Sequence, residues 1–175
     1  MKKLAIVING SGGVGKDTLC QLAARHFKVR NVSSVTPIKE LAAQCGWNGA
    51  KDNKSRRFLS DLKRLLSAYN DYPNRWVCDQ YRAFLESDEE ILFVHIREGA
   101  EIAKFVKGTD GRAKTLLIRG GSRFVRRART YGNASDDGVE NYPYDYFYVN
   151  EKTLAEAEEE FCALIERMLD ESARA

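Results

Sequence analysis

The residues best placed to do chemistry stand near the start of the chain, in the run GSGGVGKDT at positions 10–18. Gly10, Gly15 and Lys16 satisfy the spacing G-x-x-x-x-G-K, with Gly12 and Gly13 between them. Glycines let backbone N–H groups converge on phosphate oxygens, and a helix opening at Lys16 adds the partial positive charge of its N-terminus. The Lys16 ammonium is expected to reach the outer phosphates of ATP. After the lysine comes Asp17, where a hydroxyl commonly ligates magnesium, and then Thr18. An aspartate can serve Mg2+ directly or through one of the waters this hard cation keeps, which leaves Thr18 for the inner phosphate. The loop is read as competent for ATP and Mg2+.

Two rival nucleotide-binding patterns are testable on the same letters. No aspartate stands three residues before any glycine, and NKSR at 53–56 lacks the final aspartate of a guanine reader. Gly10, Gly12 and Gly15 do satisfy G-x-G-x-x-G, so the glycines alone do not exclude a dinucleotide-binding loop. Lys16 decides against it.

The elements around the loop must hold it. LAIVI (4–8) is a continuous apolar run, as a strand buried on both faces should be. Residues 16–27 read as a helix with Leu19, Leu22, Ala23 and Phe27 inward. NVSSV (31–35) is a weaker strand, and Pro37 stands where a helix through IKELAAQC would begin. A helix over 55–69 carries Phe58, Leu59, Leu62, Leu65, Leu66 and Tyr69 on one face, and 74–86 reads as another. Trp76 and Tyr72 could stack a base, although aromatics at helical spacing usually pack in a core. ILFVHI (91–96), TLLI (115–118) and YFYV (146–149) are strands, and 99–106 is a short helix. Thr153 and Glu156 make a capping box for a last helix whose stripe is Leu154, Phe161, Leu164, Ile165 and Met168. Strands separated by helical segments argue for an α/β fold with helices on both faces of a parallel sheet. The aperiodic stretch 130–145 is expected to be a functional loop.

Composition sets bounds. A chain of 175 residues suits one domain, and 43% hydrophobic with 30% charged residues is ordinary for a globular protein. A net charge of +3 gives no reason to expect nucleic acid as a partner. Cys20, Cys45, Cys78 and Cys162 are spread too widely for a zinc site or a disulfide scaffold. The basic start MKKLAIVI has too short an apolar run for a signal peptide, and no run nears the roughly 20 residues of a membrane span. A cytoplasmic protein without a membrane partner is expected.

GKDT (15–18) resembles the loop of a branch of P-loop kinases that includes phage-type deoxynucleoside monophosphate kinases; animal-type phosphomevalonate kinases also carry Asp after the lysine. SSVTPIKELAA (33–43), FVHIREGAEI (93–102) and YDYFYVNEKTLAEAEEEF (144–161) are similar to later segments of such kinases. The resemblance implies a three-layer P-loop NTPase fold with a five-stranded parallel sheet in the order 2-3-1-4-5. It implies one domain over 1–175, with a helical acceptor-binding insert at about 36–88 and a lid at about 119–143. RGGSRFVRRAR (119–129) puts Arg119, Arg123, Arg126, Arg127 and Arg129 where the lid arginines of monophosphate kinases stand, so Arg123 and Arg127 are expected to act on the transferring group. Lys39, Arg57 and Arg97 are expected to hold the acceptor's phosphate, with Arg97 also catalytic. The strand at 91–96 departs from the family: His95 and Arg97 stand where an aspartate usually holds the metal shell, so Asp17 and Glu98 are the metal candidates, and His95 is read as a packed strand residue. The implied activity is transfer of the ATP γ-phosphoryl group to a small phosphorylated acceptor, first a (deoxy)nucleoside monophosphate. A non-nucleotide acceptor of the phosphomevalonate or dephospho-coenzyme A type, and a non-catalytic nucleotide-binding module, stay open, as does a homodimer.

Overall fold

The structure, a computed structural model, describes residues 2–121 and 138–174. Strand β1 (Leu4–Asn9) is buried along its whole length, because it lies mid-sheet and meets helices on both sides. It pairs in parallel with β3 (Ile91–His95) on one side and β4 (Lys114–Gly120) on the other, so that Ile6 faces Phe93 and Lys114 across the ladders. Strands β2 (Val29–Ser33) and β5 (Tyr146–Asn150) complete a five-stranded parallel sheet in the order β2-β3-β1-β4-β5. This is the α/β architecture and the 2-3-1-4-5 strand order that the sequence implied.

Successive strand side chains point to opposite faces, and two cores follow. Leu4, Ile6 and Ile8 pack on one face with Leu19 and Leu22 of α1 (Lys16–Ala23) and with Phe161, Ile165 and Met168 of α6 (Leu154–Ser172). Ala5 and Val7 pack on the other face with Val77 and Phe84 of α4 (Tyr72–Glu86) and with Ile102 and Phe105 of α5 (Gly99–Gly108). Trp76 packs at the border of this second core, as its helical spacing suggested. The capping box at Thr153 and Glu156 is present in full.

Between β2 and β3 the chain inserts α2 (Thr36–Gln44), α3 (Asn53–Asn70) and α4. Helix α3 starts where the Asp52 side chain accepts from the Ser55 N–H at 2.7 Å, and it ends at Asp71 in the left-handed conformation, φ 55°. Its packing partners are α2 and α4.

Here the sequence reading needs correction. The helix expected over 55–69 is present as α3, yet none of the residues on its apolar face is buried: Leu65 is 58% and Tyr69 84% exposed. Leu154, expected in the α6 stripe, is exposed because it is the first residue of the helix, ahead of the turns that reach the sheet. Helix α1 stops at Ala23, four residues early, and Phe27 reaches the core from the turn that follows. Strand β2 begins at Val29, two residues early, where it pairs with Ile91.

Candidate phosphate-binding cleft

Strand β1 delivers the chain to the loop through Asn9, which is 1% exposed and has every polar side-chain atom engaged. Its Oδ1 accepts from the Gly10 N–H at 2.8 Å. Its Nδ2 donates to the Arg97 carbonyl at 3.0 Å and to the Tyr144 hydroxyl at 2.8 Å, and that hydroxyl donates to the Val139 carbonyl at 2.9 Å. One buried amide thus joins the loop, the turn after β3 and the segment leading into β5. Sequence reading missed Asn9, a polar residue at the end of an apolar run being the available signal.

Two glycines of the loop are required by geometry. Gly10 has φ 150°, and a Cβ there would lie 2.4 Å from the Ile118 carbonyl oxygen. Gly15 has φ 89° and caps α1, and a Cβ there would lie 2.6 Å from the Asn150 Nδ2. That same Nδ2 donates to the Val14 carbonyl at 2.9 Å, so β5 props the loop from behind. The Lys16 ammonium lies over the loop, 2.6 Å from the Gly10 carbonyl oxygen and 3.1 Å from that of Ser11. A glycine loop that excludes side chains, ending on a helix N-terminus with a lysine across it, fits a polyphosphate.

The loop forms one wall of a cleft of about 900 Å³. Gly12, Gly13, Gly15, Lys16, Asp17 and Thr18 line it, while Gly10 lies beneath, next to Asn9. Asp17 is exposed in the first turn of α1 and lines the cleft. The cleft is also lined by Ser33 of β2, Ser34 in the turn that follows, Lys39 of α2, Leu59, Ser60 and Lys63 of α3, and Arg97 and Glu98 from the turn after β3.

Sequence reading named most of these but not all. Lys39 and Arg97 stand at the cleft as expected, whereas Arg57 does not line it: its side chain is 87% exposed and lies 3.9 Å from Asp61. Helical phase is the reason. Leu59, Ser60 and Lys63, at i, i+1 and i+4, face the cleft, and Arg57 sits on another face. Lys63 was missed for the same reason, its phase relative to the cleft being the only signal.

Glu98 is engaged. Both of its carboxylate oxygens accept from the Lys63 ammonium at 2.8 Å. Burial works against the charge of Glu98, but the hydrogen bond and charge of Lys63, aided by Arg97, hold its carboxyl below the ordinary range. His95, read as a packed strand residue, also lines the cleft, with Nε2 2.7 Å from the Asn31 Oδ1 and 3.9 Å from the Cys20 Sγ. Burial pushes its pKa down, Asp17 pulls it up, and the charges of Lys16 and Arg97 push it down again, which leaves it below its usual value. Burial likewise pushes the Cys20 thiol up. No cluster of three or more metal-ligating side chains occurs among the described residues. Magnesium, which keeps several waters and needs only one or two carboxylates, fits Asp17 without such a cluster.

Arg123, Arg126, Arg127 and Arg129 lie outside the described residues. Of the arginine run only Arg119 is described; its guanidinium pairs with Glu140 at 2.7 Å and lies over the Phe147 ring.

Comparison with known proteins gives the fold. The chain superposes on the tunicamycin resistance protein of Deinococcus radiodurans with a TM-score of 0.59 at 14% identity, over 94% of this chain and 96% of that one. It superposes on a sugar kinase from Janibacter with a TM-score of 0.54 at 13% identity, over 96% and 95%. A gluconokinase from Sinorhizobium meliloti gives 0.53 at 15% identity, over 96% and 94%. No family model matches the sequence, and neither does any curated protein. At these identities the likeness is one of architecture, and it spans the whole of each chain. Among the described residues no helix is long and apolar enough to cross a membrane.

Proposed function

We propose that this chain is an ATP-dependent phosphotransferase that moves the γ-phosphoryl group to a small phosphorylated acceptor. The observation that carries the reading is the cleft itself: it is lined by a phosphate loop with Lys16 and also by Lys39, Lys63 and Arg97 from other elements. Two anionic groups brought together across a cleft need cations on both sides, and a donor loop alone would need them on one.

Each residue has a part that follows from its place. The backbone of Gly10 to Gly15 would cradle the β- and γ-phosphates, Lys16 would offset their outer charge, and Thr18 would bond the inner phosphate. Asp17 would hold Mg2+, which on binding supplies charge neutralisation of the phosphates. Lys39 and Arg97 would orient the acceptor's phosphate, so that its attacking oxygen meets the γ-phosphorus. It belongs to this reading that the chain works in the cytoplasm on small molecules, without nucleic acid or membrane.

A (deoxy)nucleoside monophosphate is the first acceptor we propose. A second reading, a non-nucleotide phosphate, has one observation in its favour: apart from His95, no aromatic ring lines the cleft among the described residues, so no platform for stacking a base is seen. A screen of ATP and Mg2+ against nucleoside monophosphates and small phosphorylated polyols and acids tests both. Turnover with a monophosphate supports the first and turnover with a polyol or acid the second. ATP binding without turnover on any acceptor would leave a nucleotide-binding module in place of an enzyme.

A further inference from the structure

The pair between Lys63 and Glu98 has an uncommon layout. The Lys63 side chain is the less exposed partner at 16%, the Glu98 side chain is 41% exposed, and both residues line the cleft. Both carboxylate oxygens accept from the one ammonium, as two oxygens of a phosphate monoester would. Arg97, the residue before Glu98, also lines the cleft. Hydroxyls of Ser33, Ser34 and Ser60 line the surrounding wall. As a support for α3 the pair is a poor choice, because partly buried ion pairs stabilise no better than apolar side chains of similar size. Glu98 also leaves the N-terminus of its own helix without a side-chain cap in order to reach Lys63.

We infer that Lys63 is a ligand for the acceptor's phosphate, and that the Glu98 carboxylate fills that position until the phosphate displaces it. The inference rests on the phosphotransferase reading and adds to it a binding residue and a built-in competitor. Removing the Lys63 cation should weaken phosphate binding, and neutralising the competitor should strengthen it. A pair that only holds α3 in place predicts the same sign for both, since either change breaks the same bridge.

The test is calorimetric titration of the whole chain with inorganic phosphate, after MgADP has saturated the loop. Lys63→Met should raise the phosphate Kd about tenfold or more, the usual weight of a hydrogen bond to a charged group. Glu98→Gln should lower it several-fold, and Lys63→Arg should stay near the parent. Lys104→Met and Glu101→Gln, on a pair 3.1 Å apart that does not line the cleft, control for through-space charge. Weaker binding in both cleft variants would overturn the inference, as would control variants that shift Kd as much as the cleft variants do. If Lys63→Met does not fold, the Glu98→Gln arm decides, and unchanged or weaker phosphate binding there rejects the inference. Failure of the parent to bind MgADP would count against the proposed function alone, since the phosphate comparison between variants reads the same way without nucleotide.

Discussion

Lys16 and Asp17 are neighbours with separable tasks. The Lys16 ammonium rests on two carbonyls of its own loop, contacts it would exchange for phosphate oxygens. Lys16→Ala should therefore abolish phosphoryl transfer while leaving the melting temperature close to the parent's; full turnover in this variant would refute the enzyme. Asp17 is exposed, so Asp17→Asn should cost less than about 0.5 kcal/mol of stability, as surface changes do. Its effect should appear as a higher magnesium requirement and a lower kcat, whereas Thr18→Ala should mainly raise the ATP KM. Magnesium titrations on the two variants separate these outcomes. Both residues were legible in the sequence, because spacing within one loop is local. Lys63 was not, because its role depends on which side of a helix a distant turn approaches.

Among the elements, α3 and α6 form a contrast in what periodicity can and cannot say. Both have an apolar stripe at helical spacing, but the stripe of α6 meets the sheet and that of α3 does not. Phe161→Ala, at a fully buried position, should cost about 3–5 kcal/mol, and Thr153→Ala about 1 kcal/mol through the lost cap. Leu65→Ser and Tyr69→Ser should each stay within about 0.5 kcal/mol. Urea unfolding of the four variants checks the set, and a cost at Tyr69 near that at Phe161 would mean that the face is covered. A pattern of 3.6 residues shows that one side is apolar and is silent on what that side faces. The buried strands carried more information, since LAIVI and ILFVH are apolar on both sides and such a run has few other places to go. Strand β2, at the sheet edge and only partly buried, has no such run, and its start was misread.

For the whole molecule, the proposed function predicts that nucleotide binding and stability are linked. The buried Asn9 ties the loop, the turn at Arg97 and the approach to β5 into one hydrogen-bonded unit, so a ligand held by the loop is held by the core. MgADP at about a hundred times its Kd should add about 2.7 kcal/mol, which at roughly 2–4 °C per kcal/mol for a chain of this size raises Tm by about 5–10 °C. Lys16→Ala should lose most of that shift, and a parent whose melting is indifferent to MgADP would contradict the phosphate loop. Helix α3 stands outside this unit. It supplies Leu59, Ser60 and Lys63 to the cleft while none of its residues is fully buried, and it packs chiefly on α2 and α4, with Lys63 bridging to Glu98. On the proposed function, what the chain accepts and whether the chain folds would be written in different residues. An ancestor could trade one acceptor for another by drift along this helix, with the donor half never passing through a broken intermediate, and a designer can take the same route.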